Sequence, residues 1–318
     1  GGEGTGGGEG RGLSGAMMEV GRSAENVFYA FIELMSDTLG LRVNKDTKKS
    51  DVASYFNSLG GKLGEASDEL EKVAIKATSG VDKSDTSKNP IRVAVDVAKE
   101  VLSLLKEHLK SLKDIGDDTK VGEATSNQNG VASAELELKK AYKALKGIVD
   151  TSVEKGVARP KAGDIAVKVD NADNKDGAKV LAAGANAGAA VASVSGEEIL
   201  ASIINLQEGD ATGNTGQANA NTSALKFAKG DSTVANLAQE AAKAAAVAGG
   251  IALRSLVKGG KLAANNNDDD KVVKAVGISA VNKLLGAVEE IVKKTVKNVL
   301  EKVKQEVDKA RDLKAAVK

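Results

Sequence analysis

Residues 272–318 repeat apolar side chains at three- and four-residue spacing over their whole length, with no proline to interrupt them. The side chains that share this face are Val281, Leu285, Val288, Val292, Val299, Val303, Ala310, Leu313 and Val317. The spacing drifts closer to 3.6 than to 3.5 residues, which indicates a helix packed on a core more than a coiled-coil seam. The sequence therefore predicts one long C-terminal helix, with a break allowed at Gly277 or Gly286.

The scarcity of aromatic residues and prolines extends this prediction to the whole chain. Aromatic residues make up 2% of the 318 residues, and Pro90 and Pro160 are the two prolines. Sheets are normally richer in aromatic and β-branched residues in alternation, and proline is the residue that most often ends helices. We expect an all-α protein whose helices pack closely through small side chains.

Six further segments carry strong helical signals. Asn89 precedes Pro90 as a cap and first-turn proline, and Ser195 with Glu198 forms a capping box. Ser50 is the predicted cap of the second helix, in which Gly60-Gly61 and Gly64 allow a break, and Asp231 or Ser232 is the predicted cap of the sixth. The predicted helices are 17–40, 51–78, 90–115, 132–150, 195–206 and 234–257, with a short strand at 165–169 and a thin helix at 180–192. Apolar spacing places Val93 and Val97 on the packed face of 90–115 and Leu136 on that of 132–150.

The polar segments divide the chain unevenly. Residues 1–15 are mostly glycine and predict a flexible tether, which leaves 16–318 as a single helical domain. Long loops rich in Asn, Asp, Gly and Thr fill the middle of the chain at 116–130, 156–180, 207–231 and 258–271. We therefore expect an elongated bundle, with the long terminal helices as a stalk and a loop-rich head of short helices.

Several classes of function are disfavoured by the residue content. A formal net charge of +1 argues against a nucleic-acid-binding protein, and the absence of cysteine excludes disulfides and thiolate sites. The most apolar stretch, 241–257, is interrupted by Lys243, Gly249-Gly250 and Arg254, so no membrane-spanning helix is expected. The lysine-rich face of 293–318 reads as a solvated helix face, with contact to an anionic lipid or polyanion as the alternative.

The motifs that could carry chemistry are incomplete. Residues 10–15 have the glycine spacing of a dinucleotide fingerprint but no strand before it. Residues 170–177 resemble a calcium loop that lacks both anchoring carboxylates, and 268–270 is an aspartate run. The single histidine, His108, and the acid pairs Glu197-Glu198 and Glu289-Glu290 read as ordinary helix or surface groups. We predict no catalytic residue, cofactor or metal, and hence no enzyme.

Four passages of the chain have a distinctive sequence. Residues 251–263 read IALRSLVKGGKLA, and residues 193–203 read SVSGEEILASI. Residues 278–286 read ISAVNKLLG, in a passage that continues to KKTV at 293–296, and residues 47–56 read TKKSDVASYF. Together these passages resemble the variable surface lipoproteins of Borrelia spirochaetes, in particular the variable large proteins of relapsing fever. The passages fall in the family's order, so the resemblance covers roughly the whole chain and extends to the related Lyme-disease variable surface antigen.

The resemblance implies a lipoprotein on the extracellular face of the outer membrane, held by a lipid on a cysteine that would precede Gly1. It implies plasmid-borne, exchangeable gene copies, immune evasion by antigenic variation, and host antibodies as partners, with a homodimer left open and no nucleic acid. On this interpretation the four long loops form the antibody-facing end. The segments 195–206 and 245–262 then belong to the constant frame, and the terminal helices lie near the membrane.

The alternative is a host-ligand-binding protein, either an adhesin or a recruiter of a complement regulator or plasminogen. Such a protein needs a fixed patch, usually with aromatic or arginine anchors. Outside the N-terminal part, Phe227 and Tyr142 are the two aromatic candidates for an exposed anchor. This scarcity favours the antigen interpretation.

Overall fold

The computed structural model describes residues 39–79, 88–126, 129–165, 190–205, 208–213, 216–231, 236, 242–264 and 270–317. The predicted tether at 1–15 and the predicted helix at 17–40, apart from its last two residues, lie outside these ranges. So do all but Ile165 of the predicted strand and residues 180–189 of the predicted thin helix, of which 190–192 are helical.

Helices account for the regular structure of the described residues, and the all-α prediction is confirmed. The helices are α1 Lys49–Ala77, α2 Pro90–Ser111, α3 Glu135–Glu154, α4 Gly196–Ile204, α5 Ala224–Lys229, α6 Ala244–Leu256 and α7 Asp270–Val317. Two 3-10 turns, Leu112–Asp114 and Glu208–Thr212, accompany them. Isolated β-bridges pair Lys48 with Lys120, Ala124 with Leu262 and Val131 with Lys261.

The last helix is the longest element. α7 runs for 48 residues without a break, which corresponds to about 72 Å. Gly277 does not interrupt it, because that glycine is a point of close packing: a Cβ there would lie 2.6 Å from Ser255 Oγ. The predicted face is buried from Val281 to Val303.

The prediction fails only at the end of that face. Leu313 is 69% exposed. The physical reason is length, since α2, against which α7 packs, has 22 residues. Burial along α7 therefore ends near Val307.

Helices α1 and α2 form a tightly packed antiparallel pair. α1 continues through Gly60-Gly61, where a break was predicted, because Gly60 lets α2 approach closely; a Cβ there would lie 3.1 Å from Lys106 O. The cap of α1 is Lys48 and not Ser50, so that prediction was wrong by two residues. Asn89 caps α2 as predicted, since its Oδ1 accepts from Ile91 N at 2.9 Å and Arg92 N at 3.2 Å.

Three apolar residues assigned to buried faces turn out to be exposed. Val93 and Val97 of α2 are 47% and 39% exposed, and Leu136 of α3 is 62% exposed. In α2 the buried stripe is instead shifted by about half a turn. Its members are Ile91, Ala94, Val95, Ala98, Val101, Leu102, Leu105 and Leu109.

The helix predicted at 234–257 begins ten residues later than expected. Lys243 has an extended backbone, with φ −82° and ψ 136°. Ala244 N donates to Ile165 O at 2.8 Å, so the chain is engaged there by a distant segment and not by a preceding helical turn. The capping box of α4 is present as predicted, with Glu198 N bonded to Ser195 Oγ at 3.1 Å.

The directions of the long helices bring several connections to one end of the bundle. Lys258 N donates to Ile115 O at 2.7 Å, just after α2, and Ala134 N, just before α3, donates to Lys258 O at 2.9 Å. α1 also starts here, because the Lys49 side chain reaches the end of α6. We call the surface formed by residues 116–126, 129–134 and 258–264 the loop end.

The rest of the bundle extends away from the loop end along α7. Gly122 packs on Lys274 and Ile278 in the first turns of α7. Lys155, just after α3, accepts a hydrogen bond from Asn298 Nδ2 at 3.0 Å. These two contacts lie about 30 Å apart along the helix axis. The C-terminus of α7 therefore lies at the opposite end from the loops.

Candidate functional site

The segments of the loop end are joined mainly through their backbones. Thr125 N donates to Leu262 O at 2.8 Å, and Leu262 N donates to Glu123 O at 2.8 Å. Val131 and Lys261 exchange two further bonds of 2.9 Å each. Because backbone bonds do not depend on side-chain identity, this connectivity constrains the surface side chains very little.

A set of exposed side chains covers this backbone frame. The buried side chains of Val121 and Leu262 anchor the same segments to the core. The exposed residues are Asp118, Thr119, Ser126, Asn129, Val131, Lys258, Gly259 and Lys261. The predicted loops 116–130 and 258–271 thus meet at one surface, although Val121 and Leu262 make them part of the core as well.

A buried lysine holds the loop end to the helices. The side chain of Lys49, in the first turn of α1, is inaccessible to solvent. Its Nζ donates to Gly260 O at 2.7 Å, Val257 O at 2.8 Å and Arg254 O at 3.1 Å. These carbonyls belong to the last turn of α6 and to the residues directly after it, where the helix dipole favours a cation. Burial lowers the pKa of Lys49 to about 8, against the opposing charges of Asp117 and Glu123.

Asp117 couples the first loop to the same segment. Its Oδ2 accepts from Gly259 N at 3.0 Å, and its Oδ1 accepts from Thr119 N at 2.9 Å. Burial by itself would raise the pKa of this carboxyl group. The hydrogen bonds from Thr119 and Gly259, together with the charge of Lys49, outweigh it and lower the pKa. Asp117 is therefore a structural carboxylate that orients the 258–260 turn.

Arg254 is a second buried cation, and it joins α6 to the end of α5. Its side chain is 2% exposed, and its Nε donates to Ala228 O at 2.9 Å, at the end of α5. Burial of Lys49 and Arg254 was not predicted from the sequence. Lys49 nevertheless precedes Val52, Ala53 and Phe56 by three, four and seven residues, so its place on the buried face of α1 could have been noticed.

The predicted loop 207–231 is only partly a loop. Residues 224–229 form α5, with Leu225 and Phe227 buried against α6. The exposed part is shorter and includes Gly216, Gln217, Asn219, Ala220 and Asn221. Phe227 is 1% exposed and Tyr142 is 6% exposed. Neither of the aromatic anchors considered for a host-ligand patch is therefore available at the surface.

The described part of the loop 156–180 lies away from the loop end. Val157 and Pro160 are buried beside the middle of α7. They line a groove of about 470 Å³ with Ala287, Ile291 and Lys294 of α7. This segment was expected at the same surface as the other loops. That prediction was wrong for residues 156–165, because Asn298 of α7 and the buried Val157 hold the chain beside α7.

The acid pair at 289–290 differs from the ordinary surface pair that was predicted. Glu289 is 5% exposed, and its carboxylate accepts from Gly40 N, Tyr55 Oη at 3.2 Å and Arg42 Nη1 at 3.2 Å. Burial, followed by the charge of Glu289, raises the pKa of Tyr55. Asn282, two turns earlier, exchanges bonds of 2.8 and 3.1 Å with the backbone of Val43. α7 thus fastens the chain entering α1 with polar side chains.

Two of the remaining chemical candidates, His108 and Glu198, have structural contacts in the described part of the chain. The His108 ring is half-buried against Gly147 of α3, where a Cβ would lie 2.4 Å from the ring. Glu198 belongs to the α4 capping box. The glycine motif at 10–15, the calcium-like loop at 170–177 and Asp268–Asp269 lie outside the described residues, while Asp270 opens α7. Among the described residues, no group of three or more His, Cys, Asp or Glu side chains could hold a metal ion.

The lysine-rich face of α7 is interleaved with acids. Lys302 lies 3.2 Å from Glu306, and Lys304 lies 3.4 Å from Asp308, each one turn further along the helix. These pairs reduce the positive potential of the face. In the part of the chain that the structure describes, no helix is long and apolar enough to cross a membrane.

Comparison with known proteins identifies the chain's relatives. Residues 24–307 match the family described as Borrelia lipoprotein. Variable large protein 25 of Borrelia hermsii is 68% identical over 315 residues, which are 96% of this chain and 87% of that protein. Variable large protein 21 of the same organism is 60% identical over 326 residues, covering 98% of this chain and 89% of its own. The chain belongs to the Borrelia lipoprotein family.

A protein of known structure from another Borrelia species has a similar fold. The crystal structure of the Lyme disease variable surface antigen VlsE of Borrelia burgdorferi superimposes with a TM-score of 0.70, over 93% of this chain and 98% of that one. The two sequences are 24% identical, so the likeness is one of fold. The predicted resemblance to the variable large proteins and the predicted role as a variable surface antigen are confirmed.

Proposed function

We propose that the loop end is the antibody-facing surface of this variable surface lipoprotein, and that exchange of its exposed side chains changes recognition while the frame persists. The observation that carries the proposal is the backbone pairing of Glu123, Thr125 and Val131 with residues 261–262. A surface held by main-chain atoms keeps its shape when its outward side chains are replaced. The buried anchors Lys49, Val121 and Leu262 supply the constant part.

The position of the loop end supports its accessibility. It lies at the start of α7, and the C-terminus of α7 lies at the opposite end of a helix about 72 Å long. With a lipid anchor near the N-terminus and the far end of the bundle toward the outer membrane, neighbouring molecules would shield the helices and leave the loops exposed. Labelling the full-length lipoprotein with radioactive palmitate, before and after replacing its lipid-bearing cysteine, tests the anchor.

Two further expectations complete the proposal. Residues 16–318 act as a single domain, which the shared hydrophobic core of α1, α2, α3, α4, α6 and α7 supports. The homodimer remains a prediction, for which sedimentation of the purified chain over a range of concentrations is the measurement.

Exchange of exposed residues tests the antigenic role. One variant replaces Asp118, Ser126, Val131 and Lys261 with residues that differ from them in charge or polarity. The buried anchors are left unchanged. A matched control replaces Lys293, Lys297 and Lys302 on the exposed face of α7 with glutamine. An antiserum against the native protein should lose most of its binding to intact cells that carry the first variant and keep its binding to the control. Circular dichroism must show equal helix content in both.

The same experiment separates the antigen from the host-ligand alternative. If the loop-end variant binds antiserum as well as the native protein does, the proposal fails. A pull-down from serum, with the native protein and both variants, then measures whether a host protein binds and which surface it needs. Retention that depends on the lysines of α7 would favour a ligand-binding role for that helix.

A further inference from the structure

Asn129 and Gly130 form an Asn-Gly pair in an exposed part of the loop end. Asn129 is exposed and lies outside any helix. Two residues later, Val131 exchanges both of its backbone hydrogen bonds with Lys261. In such an antiparallel pair, the N–H groups of the adjacent residues point away from the partner strand. The amide nitrogen of Gly130 is therefore not used in the pairing with Lys261.

We propose that Asn129 is a site of spontaneous covalent modification, converting to aspartate and isoaspartate in the folded protein. The Gly130 amide nitrogen loses its proton to solvent and attacks Cγ of Asn129, and the side-chain nitrogen leaves as ammonia. The resulting five-membered succinimide takes up one water molecule at either carbonyl. The net reaction consumes water, releases ammonia and involves no change of oxidation state.

The local structure favours this reaction at Asn129 over other exposed asparagines. Gly130 has no Cβ to hinder the approach of its nitrogen, and glycine reaches backbone conformations closed to other residues. At Asn219 and Asn221, by contrast, the next residues are Ala220 and Thr222, which carry a Cβ. The Oδ1 of Asn219 also accepts from Asn221 N at 2.7 Å, which holds that side chain in a turn.

The product would change the loop end in two ways. A new carboxylate would stand two residues from Val131, the partner of the exposed Lys261, and would take the formal net charge of the chain from +1 to zero. The isoaspartyl form also inserts an additional carbon into the backbone directly before the Val131–Lys261 pair. Both changes occur at a surface residue, so the helical frame stays intact.

The test is peptide mass mapping of the purified folded chain after incubation in mildly alkaline buffer made with heavy-oxygen water. Asn129 should gain the mass of deamidation and one heavy oxygen, and an isoaspartyl methyltransferase should label the same peptide. Asn219 and Asn221 serve as internal controls in the same digest. Asn129→Gln should lose the modification, and Gly130→Ala should slow it by at least about tenfold, because it hinders the attack geometry.

Three outcomes would overturn the inference. The first is that Asn129 stays intact in the folded chain but converts after denaturation in urea, because the folded loop then forbids the attack. The second is that Asn129 converts no faster than Asn219 and Asn221. The third is that Asn129 converts at the native rate in the Gly130→Ala variant with unchanged circular dichroism. None of these results depends on whether antibodies recognise the loop end.

Discussion

The side chain of Lys49 joins the start of α1 to the loop end. Its Nζ contacts three main-chain carbonyls between Arg254 and Gly260, all buried with it. In Lys49→Met the side-chain volume remains but the carbonyls lose their donor, which should destabilise the protein by roughly 2–4 kcal/mol. Denaturant unfolding measures this change. Lys45→Met, at an 83% exposed side chain, is the control and should stay within about 0.5 kcal/mol.

The protonation of Lys49 gives a second prediction at the residue scale. Its pKa is about 8 in the folded protein and 10.5 in the reference state. Between these values the unfolded chain binds more protons than the folded one, so stability attributable to Lys49 should rise with pH in this window. The difference in unfolding free energy between native protein and Lys49→Met should therefore increase there, by a few kcal/mol at most. A decrease would mean that the ammonium form is preferred.

Little about these residues could be predicted from sequence. The helical spacing of Lys49 to Val52, Ala53 and Phe56 places it on the buried face of α1. The carbonyls that accept its hydrogen bonds, however, lie more than 200 residues away along the chain. Burial of Glu289 likewise depends on Gly40, Arg42 and Tyr55, which are distant in sequence. A charged residue is read as solvated unless a partner is visible nearby, and here the partners appear only after folding.

Helix α6 shows how small residues set the distance between elements. A Cβ on Gly250 would lie 2.4 Å from Phe227 Cβ of α5, whereas a Cβ on Gly61 of α1 would meet nothing within 4 Å. Alanine has the higher helix propensity, so Gly61→Ala should stabilise the protein by about 0.5–1 kcal/mol. Gly250→Ala should destabilise it by about 1–3 kcal/mol through overpacking. Thermal unfolding of both variants tests this, and equal shifts would contradict the close α5–α6 contact.

The packed face of α7 leads to a matched pair of substitutions. Leu285 is fully buried, so Leu285→Ala should cost roughly 2–5 kcal/mol. Lys294 is 59% exposed and lies 3.8 Å from Glu290, so Lys294→Ala should change stability by no more than about 0.5 kcal/mol. Urea titration of both variants provides the comparison. Similar small effects would show that α7 does not pack through this face.

At the element scale, sequence prediction succeeded where periodicity was long and failed where it was short. The register of α7 and the caps Asn89 and Ser195 follow from local patterns. α5 was hidden in a polar loop, because six residues are too few to show a helical period. Val93 and Val97 were misplaced because α2 is rich in valine and alanine, so two neighbouring faces look equally apolar.

For the whole molecule, the division into frame and loops predicts where a protease enters. Gly216–Asn221 lies outside the helices and is exposed except for Ala218, while Val281–Val307 contributes one buried face of α7. Limited proteolysis followed by mass spectrometry should therefore show cleavage within 216–221 before any cleavage within 281–307. α5 should resist cleavage along with α7. Early cuts within 281–307 would indicate that α7 opens independently of the bundle.

The helical class, the long C-terminal helix and membership of the Borrelia lipoprotein family could all be predicted from the sequence. They depend on local periodicity and on runs of residues that can be compared directly. Which loops share a surface could not be predicted, because that depends on the directions of α1, α2, α3 and α7. Helix packing brings 116–126 and 129–134 together with 258–264, places 156–165 beside α7, and buries Lys49. Such contacts join residues far apart in the chain, and they form only when the helices pack.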